Sequence, residues 1–442
     1  MERDNEAIYR IQNRNFERSF QKGFAIFLIL LGIGITIGFL IISNRPGYGV
    51  NNGQQSSDIS FSGQLGDFIG GIVGTVFSLA GVILLYITLR AQRENFHRER
   101  LESNFFEMIR FNRENLNEMM FAYKAKEYTE EFKEATVEHK YEKRAVLKKI
   151  FDQYKEAHEE LKDYFNRKKI NEIYQDSYYK LLSKNQTIIE RDITLFEFAR
   201  IDIIYLIIFF GVGDDGKETI KSVLKDKYKS DFLDWILSIA ALKPKMDSNY
   251  WNTWRYNRIA NLVFDDIDTF LQLRKEGHWS TKTLHPVSIP GGPTGNIVYD
   301  PYYPDNYVKY YGGHQFRLGH YYRHLFQTVR FIDKEELLNF KVKYNYIKIL
   351  RGQLSTYEQI LLFINSISTI GRTWELESRN NPSEEISKNS QLITKYNLIK
   401  NIPNDKVMEG LTLSNYYPYV EYETFQDKER LSIKEELKKS YS

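Results

Sequence analysis

Cysteine is absent from this 442-residue chain, which excludes disulfide staples, thiolate nucleophiles and cysteine-ligated zinc together. Proline is missing from the whole interval between Pro46 and Pro244, so the strongest helix breaker is withheld and long helices are favoured. An excess of one charge is lacking too. Lys and Arg number 61 against 58 Asp and Glu, a net +3, so the chain is not a polycation built to coat nucleic acid. No HExxH order occurs, and no internal repeat is visible. Beyond Leu89 no uncharged run reaches membrane-spanning length.

What stands before that point is different. Gly23 to Ser43 and Phe68 to Leu89 are uncharged apolar runs of 21 and 22 residues, and a helix of about 20 such residues crosses the hydrocarbon core of a bilayer. Arg3, Arg10, Arg14, Arg18 and Lys22 precede the first run. Arg90, Arg93, Arg98 and Arg100 follow the second, while the connecting loop carries only Arg45. The side rich in Lys and Arg is cytoplasmic, so both termini are expected inside, with the chain multi-pass in a plasma (inner) membrane. The length of the first run and its mixed-charge leader argue against a cleavable signal peptide.

The expected organisation is a cytosolic leader (1–22), a transmembrane helix (23–43), an extracytoplasmic loop (44–67), a second transmembrane helix (68–89), a juxtamembrane helical or coiled region (90–170), a cytosolic helical domain (171–425) and a charged tail (426–442) expected to fray. The fold class is all-α, with irregular loop insertions. Phe105, Ile109, Asn112, Leu116, Met119 and Tyr123 repeat at three- and four-residue spacing as one apolar stripe. Lys124 to Lys169, dense in Lys and Glu, reads as solvated helical hairpins. Thr194 to Val212 is apolar enough to suggest a third span, but Glu197, Arg200 and Asp202 cut it short and make it a buried core helix. Gly211, Gly213 and Gly216 with Asp214 and Asp215 then read as a loop. Five prolines between His285 and Tyr311 mark a long irregular loop, a pattern common in lids and functional insertions. Helices follow over 316–332 and 334–368, the latter with a break, and another near 386–399.

Within the second apolar segment Gly66, Gly70, Gly74 and Ser78 recur every four residues, with Gly71 beside them. Such a bare face lets transmembrane helices approach closely. It serves packing on the first span or assembly of a homo-oligomer in the lipid bilayer equally well. Asp67 at its outer boundary caps the helix or lines a gate in an assembly.

The chemical candidates lie later. On a helix over 316–332, Arg317, His320, His324 and Gln327 share one face, with Arg323 beside it. Leu318, Tyr322, Leu325 and Val329 would pack inward. The next helix carries Arg351, Ser355, Glu358 and Asn365 opposite Ile347, Leu350, Leu354 and Leu361. If the two polar faces met, Arg317, His320, Arg323, His324, Arg351 and Glu358 would form a metal-free site for cleaving a phosphodiester, with histidine moving protons and arginine holding the phosphate. Two other readings stay open: His320 and His324 as an i, i+4 metal pair, and a buried structural clamp in which Arg and Glu neutralise each other. No metal and no cofactor is called for.

Two resemblances attach to these residues. Arg317 to His324 is similar to the Arg-x4–6-His pattern of the HEPN ribonucleases, which are helical and usually dimeric, although Leu318 stands where that family commonly has a polar residue. More extensively, the chain resembles AbiC-like phage abortive infection proteins. The matching pieces are Gly66-Asp67-Phe68 with Gly70-Gly71, Phe105 to Ile109, Ile204-Tyr205-Leu206 through Phe209-Phe210-Gly211, Tyr321 to Phe326, and Ile349 to Ser355 with Glu358, Leu361, Leu362, Phe363 and Asn365. That resemblance implies a bacterial inner-membrane antiviral protein that arrests or kills the infected cell, released by a phage-derived or neighbouring-gene trigger. The resemblance gives no mechanism, and three readings of the residues compete: perturbation of the membrane under control of the cytosolic domain, a tethered ribonuclease with RNA as its partner, or a non-enzymatic, non-toxic scaffold.

Overall fold

A computed structural model describes residues 2–43, 63, 66–128, 134–191, 193–252, 254–255, 267–268, 271, 307–377, 390–425 and 428–441. The chain divides into two compact units, one made essentially of residues 1–107 and the other of 108–335 with 339–441. Most of the 44–67 segment expected as an extracytoplasmic loop, the proline-rich stretch up to residue 306 and the segment around Pro382 lie outside the described residues.

The first unit is two long helices. α1 is Glu2–Ser43, about 60 Å of continuous helix at 1.5 Å per residue. A π-helical turn, Ile69–Val73, leads into α2, Gly74–Asn117, the greater part of which lies in this unit. Ser19–Ile41 and Gly66–Asn117 contain windows long and apolar enough to cross a membrane, only 17% and 12% buried. Many of their Leu, Ile and Phe side chains stand outward, Leu30, Ile37, Leu85 and Leu89 among them, whereas Leu28, Leu101 and Phe105 are buried. The two helices meet where Phe39 stacks on Phe68 at 4.4 Å and where the Phe77 ring covers Gly32, 3.0 Å from the position of a Cβ. Among the described residues nothing lies within 4 Å of a Cβ placed at Gly66, Gly70 or Gly71, Ser78 is exposed and Gly74 is half-buried.

The second unit is mostly helical, with two small antiparallel hairpins. Past the end of α2, β1 (Met120–Tyr128) pairs with β2 (Glu134–Glu142), Phe121 opposite Tyr141 and Tyr123 opposite His139. This corrects the all-α expectation and the helical reading of 124–142. The cross-strand rings of Tyr123 and His139 stack at 5.0 Å, and such pairs stabilise a ladder in a way a helix could not reproduce. α3 (Arg144–Asn166), α4 (Leu195–Phe210), α5 (Asp214–Leu224) and α6 (Ser230–Ala240) follow, with short helical turns between α3 and α4. Then come α7 (Gln315–Asp333), α8 (Phe340–Arg351) and α9 (Thr356–Ile367). A small hairpin, β3 (Lys406–Met408) with β4 (Leu411–Thr412), precedes α10 (Lys428–Tyr441).

α4 is the centre of the core, buried without interruption from Phe198 to Phe209, and packs on α3 and α9. The charges that shorten it as an apolar run are all spent internally. Arg200 pairs with Glu197 through Nε at 3.1 Å. Asp202, fully buried, accepts from Arg372 Nη2 at 2.7 Å, from Tyr228 OH at 2.8 Å, and from Thr369 N and Oγ1 at 2.7 Å each. Arg372 also donates to the Ile367 carbonyl at 2.8 Å and to Glu377 at 2.9 Å. Burial pushes the Glu377 carboxyl up, but Arg372 and Lys227 outweigh it and hold the group below the usual carboxylate range. Asp214 and Asp215 are the first turn of α5 rather than loop, where negative charge meets the positive end of the helix dipole.

Two other expectations change. The tail is a helix, with Leu437 and Tyr441 buried and Tyr441 against Phe340 at 5.3 Å. Of the helix expected near 386–399, the described part is one turn, Leu392–Tyr396, closed by Asn397 at φ 53°, a left-handed conformation that asparagine tolerates. The exit of the proline-rich stretch is firmly tied. Tyr307 OH donates to the carbonyls of Ala241 and Leu242 at 2.9 Å each, Tyr310 OH to Glu156 and Tyr311 OH to Glu160 at 2.7 Å each.

Candidate functional site

α7 begins beside the C-terminus of α4, and glycine makes that approach possible. Gly211 and Gly313 have φ of +83° and +85°, and a Cβ on either would stand within 2.7 Å of the other segment's backbone. Two backbone bonds close the crossing, His314 N to Phe209 O at 2.8 Å and Val212 N to Tyr311 O at 2.9 Å. Gly371 sits equally close to α9, where a Cβ would clash with the Asn365 carbonyl. These crossings border a cleft of about 780 Å³, within the range of small-molecule sites. Its apolar surface includes Phe209, Phe210, Phe326 and Trp374. Phe326 and Trp374 meet edge to face at 4.8 Å, as Phe209 and Phe210 do at 4.9 Å. Its polar surface is His320, Arg323 and Gln327 from α7, Asn365 from α9, and Gln315 and Thr373.

The inward face of α7 is the predicted one: Leu318, Tyr322, Leu325 and Val329 are all buried, as are Ile347, Leu350, Leu354 and Leu361 on the following helices. The predicted polar face is divided. His320 and Arg323 line the cleft with Gln327. Arg317 turns to the β-hairpin, where its Nε donates to the Met120 carbonyl at 2.7 Å, Nη1 reaches His314 Nδ1 at 3.1 Å, and the guanidinium lies 5.0 Å from the Phe121 ring centre. Burial lowers its pKa. His314 in turn bonds Gln153 at 2.6 Å, and burial together with Arg317 pulls its pKa down to about 3, so it is neutral at physiological pH. His324 faces Phe111 at 6.2 Å, and its Nδ1 is buried with no hydrogen-bond partner among the described residues.

Arg351 and Glu358 do not join the cleft. Arg351 donates to the carbonyls of Tyr396 and Asn397 at 3.1 and 3.2 Å, fastening the Leu392–Tyr396 turn. Glu358 completes a capping box at the start of α9, accepting from Ser355 N at 2.7 Å. It also accepts from Tyr321 OH and lies 3.3 Å from Arg144 Nε. The convergence of six residues on one site is therefore not the observed arrangement; two line the cleft, two serve structural clamps, and Arg317 and His324 have surroundings of their own. No contact joins Arg317 to His324 among the described residues, and no group of three or more potential metal ligands forms there.

Sequence reasoning missed the aromatic half of the cleft. Phe209-Phe210 closes an apolar helix and reads as core, and Trp374 is distant in the chain. The readable signal was glycine: Gly211, Gly313 and Gly371 mark close backbone crossings.

Residues 313–407 match the family described as "Putative phage abortive infection protein". The matched segment contains the whole of α7, α8 and α9, and with them Tyr321 to Phe326 and Ile349 to Ser355, on which the resemblance was read. Gly66 to Gly71, Phe105 to Ile109 and Ile204 to Gly211 lie outside it. No curated protein and no solved structure matches the chain.

Proposed function

We propose that this chain is a membrane-anchored effector of phage abortive infection. It sits in a bacterial inner membrane with both termini in the cytoplasm, and arrests or kills the infected cell by perturbing that membrane under control of its helical unit. The observation that carries this reading is the abortive-infection match over residues 313–407, joined in one chain to two outward-facing apolar helices. The Gly66, Gly70, Gly71 face, with no described residue within 4 Å of a Cβ placed on it, favours a homo-oligomer formed through the membrane helices, since small residues permit close helix approach. The trigger is a phage product or a neighbouring gene product. A ribonuclease reading finds no comparable support, because Arg317 is committed to Met120 and His314.

Two assays test it together. Bacteria producing the full chain are challenged with a phage panel, and their membranes are washed with alkaline carbonate. The expectation is fewer plaques for at least one phage, early collapse of cultures infected at high multiplicity, and protein retained in the pellet. Undiminished plaques across the panel, or release of the protein by carbonate, would overturn it.

A further inference from the structure

The cleft beside α7 has a composition that identifies what it takes. None of its lining residues is Asp or Glu, although the chain carries 58 of them. Its basic side chains, Arg323 and His320, make no ion pair and no hydrogen bond with any described residue. That contrasts with Arg317, Arg351 and Arg372, each of which donates to at least one backbone carbonyl or carboxylate. A free guanidinium at an acid-free concave surface is a site for an anion, bound bidentately through its planar fork. The same lining contains the aromatic side chains of Phe209, Phe210, Phe326 and Trp374, whose surface suits a flat ligand.

Gly319 adds a second, independent observation. It lies in the middle of α7 and lines the cleft. A Cβ there would meet only the Phe209 ring, at 3.5 Å, an ordinary contact. Packing therefore does not require glycine, and glycine weakens a helix interior. Its effect is to leave the cleft floor open next to Arg323 and His320, so that a ligand can lie against the helix backbone.

We infer that this cleft binds a nucleotide, an anionic phosphate ester carrying a planar heterocycle, with Arg323 and His320 at the phosphate and the Phe326–Trp374 and Phe209–Phe210 pairs at the base. The inference does not depend on the antiviral reading; the site would exist whatever the membrane helices do. Gln315 and Gln327, amide side chains that can both donate and accept, stand within the same cleft to reach the edge of the heterocycle.

The test is isothermal titration of the full-length protein in detergent with a panel of ribonucleoside mono-, di- and triphosphates, alongside inorganic pyrophosphate and adenosine. At least one nucleotide is expected to bind at micromolar to low-millimolar Kd, with pyrophosphate and adenosine each at least tenfold weaker. Arg323→Ala and Gly319→Leu are each expected to weaken that nucleotide at least tenfold. Thermal unfolding of Arg323→Ala checks that the fold is intact, and Arg323→Lys, which keeps the charge and loses the fork, should fall between the wild type and alanine. Absence of binding across the panel, pyrophosphate binding as tightly as the nucleotides, or a Kd indifferent to Arg323→Ala in a folded variant would each overturn the assignment.

Discussion

Arg372 is the residue on which the helical unit is most exposed to a single change. It is 1% accessible and bonds Asp202, Glu377 and the Ile367 carbonyl, tying α4 to the segment after α9. Removing one member of such a buried cluster strands the other charge, at a cost of about 3–5 kcal/mol. Arg372→Met should therefore lower the unfolding free energy obtained from urea titration by that amount or leave the unit unfolded, whereas exposed Arg323→Ala should change stability by less than about 0.5 kcal/mol. At the crossing of α4 and α7, Gly313→Ala should cost more than about 1 kcal/mol, since it forces a side chain onto positive φ and into the Phe210 carbonyl. The roles of individual residues were only partly legible in the sequence. Spacing set Arg317, His320, His324 and Gln327 on one face with Arg323 beside it; His320, Gln327 and Arg323 line the cleft, while Arg317 and His324 do not. It could not say that Arg351 would be taken by the carbonyls of Tyr396 and Asn397, because those partners lie about 45 residues away in the chain. Glu358 was readable as structural from Ser355-x-x-Glu358 alone, a capping box.

Among the elements, α7 carries the most informative glycine. Gly319→Ala should stabilise the helix by about 0.5–1 kcal/mol, measured by thermal or urea unfolding; a destabilised variant would mean that glycine is needed there for packing after all. The apolar helices and the buried α4 were legible because hydrophobic runs and the charges interrupting them report burial directly. The β1–β2 hairpin was not. Its Lys and Glu content resembles that of a solvated helix, and the alternation of Phe121, Tyr123 and Ala125 is short. What holds it is the match of Tyr123 with His139 across the strands, a long-range pairing that a local period does not contain. The tail helix was hidden for a similar reason. Its charged composition reads as exposed, yet Lys434 is buried against the Thr394 carbonyl, and burial pulls its pKa to about 8.

For the whole molecule, two buried histidines set a dependence on pH. Burial first, with Arg200 and Lys162 adding, holds His158 at about 3, and burial with Arg317 holds His314 at about 3. Both folded values lie below the unfolded value near 6.5, so the unfolded chain binds more protons between about pH 3 and 6.5. Stability from these groups is complete above about pH 6.5 and is lost as pH falls, at about 1.4 kcal/mol per pH unit for each histidine. Replacing His314 with Gln should flatten the slope of unfolding free energy between pH 6.5 and 5, and an unchanged slope would contradict the assignment.

The same scale holds the functional claim, that a helical unit matching abortive-infection proteins acts through two membrane helices. Its most direct test is membrane potential and RNA integrity recorded in one induced culture, for the wild type, Gly70→Leu and His324→Ala. Depolarisation before growth stops, with intact RNA, loss of both effects in Gly70→Leu and their retention in folded His324→Ala, is the predicted result. Fragmented RNA in cells that stay polarised, abolished by His324→Ala and untouched by Gly70→Leu, would contradict it.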